Sequence, residues 1–206
     1  MIKRRCKITF IRHGATIYTD ADRLSDKDNY PPLNETGKAE MTAISQWIKK
    51  RGIMVDKIFC SPETRVTQSA RILSKICKQD FEVIPDLTAK LSGTWSGLSF
   101  EQIEEKYPKE LEAYHNDRAN FIMPNGESMV QFNERINKSL ERIVEDNNSS
   151  RLIIVTHGEV IQSAVAGILH IPPEYQTRII IPTGSATQIS YYKGWSVLVY
   201  TGIIEY

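Results

Sequence analysis

The chain has 206 residues, of which 41% are hydrophobic and 25% are charged, as expected for one globular domain with a substantial core. Its 26 basic and 25 acidic residues give a net charge of +1, so no overall basic field exists to attract nucleic acid or an anionic membrane. Any anion must therefore be bound by a local cluster of cations.

Apolar runs in the first half of the chain predict three buried strands, over residues 7–11, 55–60 and 81–85. An amphipathic helix is expected over residues 35–50, where apolar side chains recur at helical spacing. A second helix is expected from "SPET" to about Cys77. Ser61 would be its N-cap and Pro62 its first residue, and Glu63 would interact with its positive N-terminal end.

The second half begins with a less regular segment, residues 87–123, with two short helices expected around "SFEQIEEKYPKELEAYH". A longer helix is expected after "PNGES", ending near Glu145, and another over "HGEVIQSAVAGIL". Four more strands are predicted, over residues 151–156, 178–182, 186–192 and 196–201. The last two are expected to form an antiparallel hairpin turned by "KGW".

This alternation of apolar strands and amphipathic helices predicts an α/β fold, a three-layer α/β/α sandwich with a mostly parallel central sheet. We expect a single domain over residues 1–206, with a variable, cap-like segment over residues 87–125. Ligands of such sheets bind at the carboxyl ends of the strands. That rule selects three places in this chain: "RHG", "SPETR" and "THG".

The cysteines and the N-terminus indicate where the protein works. Cys6, Cys60 and Cys77 have no paired spacing, so we expect reduced thiols rather than disulfides or a zinc site. The apolar part of the N-terminus is too short for a signal peptide, and no run approaches the roughly 20 apolar residues that span a bilayer. We expect a cytoplasmic protein that does not bind membranes or nucleic acid.

Two of the three predicted strand ends carry the same dipeptide, His13-Gly14 and His157-Gly158. A single histidine is more often a structural residue, but two at the carboxyl ends of one sheet favour a shared site. Each glycine allows close approach of the backbone just beyond the imidazole, and the turns can present free N–H groups to an anion.

Two arginines add positive charge to these strand ends: Arg12 precedes His13, and Arg65 lies one turn into the helix after "SPET". Such a set predicts a pocket for a phosphoryl dianion, in which a neutral imidazole attacks phosphorus and water hydrolyses the phosphohistidine. A metal site is disfavoured, because no two of the four histidines are spaced i, i+4 and Arg12 would repel a cation. We expect no cofactor and no metal.

Six segments, in this order, resemble the motifs of the histidine phosphatase superfamily, also called phosphoglycerate mutase-like: "FIRHGAT", "PPLNETGKAE", "CSPETRVTQSARIL", "GTWSGLS", "PNGES" and "VTHGEVI". The resemblance covers nearly the whole chain. It implies a phosphoglycerate mutase-like fold and a metal-independent phosphomonoesterase that acts on a small phosphorylated metabolite.

The resemblance also assigns roles to individual residues. His13 would be the phosphorylated nucleophile, Arg12 and Arg65 the phosphate ligands, and His157 the second histidine of the site. Further contacts to the phosphate would come from three residues: Gly14, Thr19 and Gly158.

Three positions depart from the pattern of the family. Its proton-donating glutamate lies four residues before Gly93, where this chain has Ala89. The asparagine that many members have six residues after the nucleophile is Thr19 here, and "PTGSAT" stands where another asparagine is common. Alanine has no proton to donate, so the source of the general acid is open.

Four explanations of Ala89 remain open at this point. The acid comes from elsewhere, with Glu159, Glu127 and the acidic residues of the "TDADRLSDKD" loop as candidates. Alternatively, the substrate has a good leaving group or donates its own proton, the alanine was introduced to trap a ligand, or turnover has been lost.

Two other functions are consistent with the sequence: a phosphoglycerate mutase-type phosphotransferase, and a non-catalytic phosphate-ligand or protein-binding module. The loop around Asp20, Asp22, Asp26 and Asp28 and the segment 99–125 are expected to flank the pocket. The aromatic side chains of that segment form either a wall over the substrate or a packing face: Tyr107, Tyr114, His115 and Phe121. The predicted hairpin offers an edge strand for a homodimer.

Overall fold

The computed structural model of the protein describes residues 4–25 and 31–205, with the backbone alone for Arg4 and Arg5. Within these residues six strands form one sheet: β1 (Arg4–Arg12), β2 (Lys57–Cys60), β3 (Phe81–Val83), β4 (Ser150–Thr156), β5 (Ala186–Tyr192) and β6 (Trp195–Ile203). Their order across the sheet is β3-β2-β4-β1-β5-β6. Strands β1 to β4 run parallel, and β5 is antiparallel to both of its neighbours.

Seven α-helices lie within the described ranges: α1 (Ile17–Asp20), α2 (Glu35–Lys50), α3 (Thr64–Cys77), α4 (Phe100–Lys106), α5 (Pro108–Asn116), α6 (Met129–Asp146) and α7 (Gly158–Leu169). Short 3₁₀ helices cover Pro85–Leu87, Gly93–Trp95 and Pro173–Arg178. The predicted helix over residues 35–50 and the two short helices of the irregular segment are confirmed, as is the antiparallel hairpin of β5 and β6.

Helices cover both faces of the sheet. Because successive strand residues point to opposite faces, the neighbours Ile153 and Ile154 of β4 enter two different cores. Ile153 packs with apolar residues of α2 and α3, among them Met41 and Leu73. Ile154 packs with residues of α6 and α7, among them Phe132. The predicted α/β/α sandwich with a mostly parallel central sheet is therefore confirmed.

The segment between β3 and α6 has a small core of its own, and we call residues 93–123 the cap. The buried side chains of this core are Trp95, Ile103 and Met123. The rings of Tyr114 and Phe121 each lie 5.7 Å from the ring of Trp95, and Tyr107 packs against the same core. These aromatic residues therefore form a packing face, and His115 is exposed on α5.

Helix α3 begins later than the sequence predicts. Glu63, not Ser61, is its N-cap, and the Glu63 side chain makes no capping hydrogen bond. The Ser61 hydroxyl instead donates to the Leu87 carbonyl at 2.5 Å and lies 2.8 Å from the Thr156 hydroxyl. The prediction of Ser61 as the N-cap is wrong because this hydroxyl joins the ends of β2 and β4 to the segment after β3.

The strand predicted over residues 178–182 is also wrong. A 3₁₀ helix ends at Arg178, and the residues after it pair with side chains instead of another strand. The Ile179 carbonyl accepts from Gln162 Nε2 at 2.8 Å, and the Ile181 carbonyl accepts from Arg12 Nη1 at 2.5 Å. This apolar segment is thus attached to the ends of β1 and α7.

Within the described residues the three cysteines form no disulfide; Cys6 and Cys60 are buried and Cys77 is partly exposed. Burial raises the pKa of the Cys60 thiol to about 12, which keeps it protonated. In the described part of the chain, no helix is long and apolar enough to cross a bilayer.

Candidate active site

His13 lies at the carboxyl end of β1. Its backbone N–H donates to the Thr156 carbonyl at the end of β4 (2.9 Å), so the pairing of the two strands positions the ring. The residue is 4% exposed, and Nδ1 lies 2.8 Å from the carbonyl oxygen of Gly14. Since a carbonyl can only accept, Nδ1 carries the proton and Nε2 has an electron pair with which it can accept a hydrogen bond.

Gly14 lets the chain turn tightly after β1. A Cβ atom at this position would lie 2.2 Å from the carbonyl oxygen of Gly37 in the first turn of α2. The next N–H, that of Ala15, donates to Glu40 Oε2 at 2.8 Å, and Glu40 Oε1 accepts from the Thr183 hydroxyl at 2.8 Å. Helix α2 and the loop before β5 therefore hold the turn in place.

The guanidinium of Arg65, from the first turn of α3, lies between two histidines. Its Nε is 3.2 Å from His13 Nε2, and its Nη2 is 3.2 Å from His157 Nδ1 and 3.1 Å from Ser25 Oγ. The two imidazole rings are nearly edge-on to one another, with 5.4 Å between their centroids. The ring nitrogens of both histidines thus converge on one guanidinium, which is the geometry expected of a phosphoryl site.

Arg12 forms another side of this site. Its Nη1 donates to the Ile181 carbonyl, and its side chain packs against Gly158, where a Cβ atom would lie 3.3 Å from Nε. That Nε is buried and has no hydrogen-bond partner among the described residues. A buried, unpartnered guanidinium donor beside His13 fits an anionic ligand. The structure therefore brings together the four residues that the sequence selects: Arg12, His13, Arg65 and His157.

The electrostatic environment keeps His13 uncharged. Burial is the largest effect, and together with the positive charges of Arg65, His157 and Arg12 it holds the pKa of His13 well below its usual 6.5. The hydrogen bond from Nδ1 to Gly14 acts in the opposite direction but is outweighed. A neutral imidazole with its electron pair on Nε2 is the form that can act as a nucleophile once the hydrogen bond from Arg65 is exchanged.

Glu63 is a site residue that sequence reasoning missed. It is 3% exposed, with Oε2 2.9 Å from His157 Nε2 and Oε1 accepting from the backbone N–H of Ala89 at 3.0 Å. Burial opposes its ionisation, but the attraction of His157 and the Ala89 N–H outweigh burial and lower the pKa of Glu63 to about 2. The sequence shows an acid at the start of a helix, a pattern that also fits interaction with the helix dipole.

The two carboxylates considered as proton donors lie in different places. Glu159 borders the cavity, where its charge faces Arg12 and Lys90. Glu127 lies outside the cavity lining, ion-paired with Arg135 Nη2 (2.5 Å) and accepting from the Leu91 N–H at 2.9 Å. Glu127 therefore braces the chain beside position 89, and the hypothesis that it donates a proton is not supported by its location.

The remaining predicted residues border the site without reaching its centre. Thr19 borders the cavity, but its hydroxyl donates to the Thr16 carbonyl at 2.9 Å as part of the N-terminal cap of α1. Asp20 accepts from Asn34 Nδ2 at 2.7 Å, and Asp22 borders a neighbouring opening beside the cap. Two further acids of that loop lie outside the described residues: Asp26 and Asp28.

A cavity of about 340 Å³ opens above these residues. Arg12, His13 and Arg65 form its polar base, and its walls include Tyr18, Arg23, Leu24, Gln162 and residues 179–181. Across the described ranges, no group of three His, Cys, Asp or Glu side chains is arranged to hold a metal ion. The cavity has room for a small organic group bound to a phosphate.

Comparison with known proteins gives a consistent result. The family model of the histidine phosphatase superfamily (branch 1) matches residues 8–203. A metal-independent phosphoserine phosphatase of Arabidopsis thaliana is 30% identical over 160 residues, which are 76% of this chain and 66% of that protein. A probable phosphoglycerate mutase GpmB of Yersinia enterocolitica is 24% identical over 200 residues, 93% of this chain and 90% of that protein.

A solved structure shows the same fold at lower sequence similarity. The alpha-ribazole phosphatase of Shigella flexneri superimposes with a TM-score of 0.84 at 21% identity, covering 96% of each chain. At this identity the likeness supports the fold alone.

Proposed function

Because the chain belongs to the histidine phosphatase superfamily, we propose that it is a metal-independent phosphomonoesterase that hydrolyses a small phosphorylated metabolite through a phosphohistidine on His13. A phosphatase-type activity is supported by the family and by the phosphoserine phosphatase relative. The observation that carries the mechanism is the guanidinium of Arg65, 3.2 Å from both His13 Nε2 and His157 Nδ1.

Binding of the substrate begins with the phosphoryl group at the polar base of the cavity. The unpartnered Nε of Arg12 and the guanidinium of Arg65 donate to its oxygens. A phosphoryl oxygen then replaces His13 Nε2 as the partner of Arg65 Nε. This exchange frees the Nε2 electron pair, directed at phosphorus, for attack.

Phosphoryl transfer forms the bond between His13 Nε2 and phosphorus while the ester P–O bond breaks and its electron pair moves to the leaving oxygen. The arginines stabilise the negative charge on the equatorial oxygens throughout. Water then attacks phosphorus and gives one proton to a base of the site or to solvent, the P–N bond breaks, and its electron pair returns to His13. Because position 89 is alanine, the proton for the leaving oxygen comes from a group other than that residue or from the substrate.

Phosphate release from a panel of phosphomonoesters in the presence of EDTA tests this proposal. We expect activity with EDTA, and its loss by at least about 10³-fold in His13→Ala. His115→Ala is the matched control, because His115 is an exposed histidine of the cap outside the cavity lining. Activity that survives His13→Ala would refute the nucleophile, and activity abolished by EDTA would indicate metal catalysis.

The same assay separates the alternatives. A phosphoglycerate mutase-type enzyme, which the GpmB relative keeps as a second candidate, would transfer the phosphoryl group to a second hydroxyl rather than release it. A binding module would release no phosphate from any substrate and would form no acid-labile phosphoenzyme. Trapping the labelled phosphoenzyme and finding it absent in His13→Ala would support the proposed intermediate.

A further inference from the structure

The carboxylate of Glu63 is enclosed within the site, behind His157 as seen from the cavity. Its side chain is 2% exposed, and that of His157 is 1% exposed. Oε1 accepts from the Ala89 N–H, and Oε2 lies 2.9 Å from His157 Nε2, at an angle that departs from that of a good hydrogen bond. The two residues thus form a buried contact between a carboxylate and an imidazole, and its alignment is free to improve when a ligand binds.

Stability alone does not require a carboxylate at this position. A buried ion pair is often no more stabilising than apolar side chains of the same volume, because both charges lose their hydration. Glu63 is also the N-cap of α3, yet its side chain makes no capping hydrogen bond. Its carboxylate oxygens instead contact His157 Nε2 and the backbone N–H of Ala89.

The position of Glu63 determines how it can act. Neither Glu63 nor His157 is part of the cavity lining, but His157 contacts Arg65, which does line the cavity. The ring of His157 stands between Glu63 and the guanidinium of Arg65, with Nε2 facing the carboxylate and Nδ1 facing the phosphoryl site. Any effect of Glu63 on the reaction is therefore transmitted through His157.

Since a guanidinium can only donate, His157 Nδ1 accepts from Arg65 Nη2 in this arrangement. We propose that a bound phosphoryl group replaces Nδ1 as the partner of Arg65, that His157 then carries a proton on Nδ1 with Glu63 as its counter-ion, and that this proton goes to the leaving oxygen, in place of one from a carboxylic acid at position 89. His157 is then a catalytic residue and Glu63 a positioning residue. This inference rests on the proposed function.

The proton transfers balance over the two half-reactions. As His13 Nε2 bonds to phosphorus and the ester bond breaks, the leaving oxygen takes the Nδ1 proton of His157 and departs as an alcohol. His157 is left neutral, with its Nε2 proton directed at Glu63. When water attacks the phosphohistidine, one proton of water returns to His157 Nδ1, and the electron pair of the P–N bond returns to His13.

A positive charge on His157 requires a counter-ion, because the groups around its ring are themselves positively charged. Arg65 contacts Nδ1, Arg12 lies at the base of the same cavity, and the ring of His13 is 5.4 Å away. His157 is also the N-cap of α7, the positive end of that helix. Among the described residues, Glu63 is the carboxylate that the ring of His157 contacts. Without it, a second positive charge beside Arg65 would be strongly disfavoured.

A phosphate ester bound for attack by His13 also comes within reach of His157. Arg65 brings the ring nitrogens of His13 and His157 to one guanidinium, so a phosphate placed for attack by His13 lies beside His157 Nδ1. The oxygens of a phosphate ester lie within a hydrogen-bond length of one another. Glu159 is the competing donor, since it borders the cavity directly, but its charge faces two cations, Arg12 and Lys90.

The test compares two substrates of similar size with different leaving groups. Benzyl phosphate must expel a strongly basic alkoxide, whereas 4-nitrophenyl phosphate expels a weakly basic phenolate that needs little help from an acid. We expect Glu63→Gln to lower kcat/KM for benzyl phosphate by about 10²-fold and that for 4-nitrophenyl phosphate by less than about threefold. The ratio kcat/KM is used because it reports the steps up to formation of the phosphoenzyme.

Asp56→Asn is the matched control, because Asp56 is another ion-paired carboxylate whose pKa is lowered to about 2, bonded to Arg151 at the opposite end of β2. We expect no change in either rate constant for this variant. If Glu63→Gln does not fold, Glu63→Met removes the same charge with a side chain of similar length and is expected to give the same pattern.

Equal losses on both substrates would overturn the inference and leave Glu63 with a structural role. A loss confined to benzyl phosphate in Glu159→Gln, with Glu63→Gln unaffected, would assign the acid to Glu159 instead. Failure of the proposed function itself is distinguishable, because His13→Ala would then retain activity on both substrates.

Discussion

The carboxylate of Glu63 accepts a hydrogen bond from the backbone N–H of Ala89 at 3.0 Å, so the acid that the family pattern places at residue 89 has a counterpart directly beside that residue. The two positions come from different elements: Glu63 caps α3, and Ala89 follows the 3₁₀ turn Pro85–Leu87. This contact places the Glu63 carboxylate next to the position at which the family pattern has its proton-donating glutamate.

Restoring the acid at position 89 should therefore depend on residue 63. We expect Ala89→Glu to change kcat/KM for benzyl phosphate by less than about threefold in the wild type, because His157 already supplies the proton. In the Glu63→Gln background the same change should restore at least about tenfold, within the range of general acid catalysis. A gain of about 10²-fold in the wild type would show that the natural protein lacks an acid.

The acid stability of the fold should also depend on Glu63. Its pKa in the folded protein is about 2, below the 4.5 of an ordinary glutamate, so the unfolded chain binds the proton at higher pH. Glu63 thus contributes stability above pH 4.5, roughly 3 kcal/mol, that is lost as the pH falls towards 2. Urea unfolding at pH 7 and pH 3 should show a smaller difference in Glu63→Gln than in the wild type.

The Asp56→Asn variant provides the comparison for this measurement. The pKa of Asp56 is also lowered to about 2, chiefly by its hydrogen bonds to Arg151, but this pair is open to solvent and weakened by screening. We expect Asp56→Asn to change the pH dependence of unfolding less than Glu63→Gln does. The opposite order would mean that burial of Glu63 does not determine its contribution.

The pH–rate profile should reflect the neutral state of His13. Because burial and three neighbouring cationic groups hold its pKa well below 6.5, the acid limb of kcat/KM should lie well below that pH. The profile is measured with 4-nitrophenyl phosphate and corrected for the ionisation of the substrate itself. In Arg65→Gln, which removes one of those charges, the limb should move to higher pH. A wild-type limb at pH 6.5 or above would contradict the assignment.

Gly14 should tolerate no side chain. Alanine at this position would place its Cβ atom 2.2 Å from the Gly37 carbonyl oxygen, so the turn after β1 or helix α2 must move. We expect Gly14→Ala to lower the free energy of unfolding by about 1–3 kcal/mol and to displace His13. Gly167→Ala in α7 is the control, since the added atom meets only the side chain of Asn137, at 3.1 Å. Equal stability of the two variants would contradict this packing argument.

The periodicity of apolar residues in the sequence predicted the sandwich. The rule that ligands bind at the carboxyl ends of parallel strands predicted that four residues share one site: Arg12, His13, Arg65 and His157. These inferences succeed because they depend on features that are local in the sequence: apolar alternation, helix start signals, and the meeting of parallel strands at one edge of the sheet. The strand predicted over residues 178–182 failed because its apolar residues resemble a strand, whereas their carbonyls are taken by two side chains, Arg12 and Gln162.

Glu63 shows what the sequence does not disclose. Nothing local distinguishes a glutamate that faces solvent at a helix start from one that turns inward to a histidine 94 positions later in the chain. That pairing is set by the packing of β2 against β4, which places the residues following both strands side by side. Such contacts depend on tertiary structure and are missed when each motif is read separately.

Because the cap has a hydrophobic core of its own, it can be exchanged separately from the rest of the fold. Trp95, Tyr114 and Phe121 pack with one another and not with the two cores of the sheet, so their replacement as a unit leaves the packing beneath His13 intact. A chimera that exchanges residues 93–123 for the corresponding segment of a relative should fold and keep the cavity above His13, because none of these residues lines that cavity. The exchange should alter only the neighbouring opening, which residues 99–102 share with Arg12 and Thr19. The opening beside the cap can therefore change shape while the residues at the base of the cavity keep their packing.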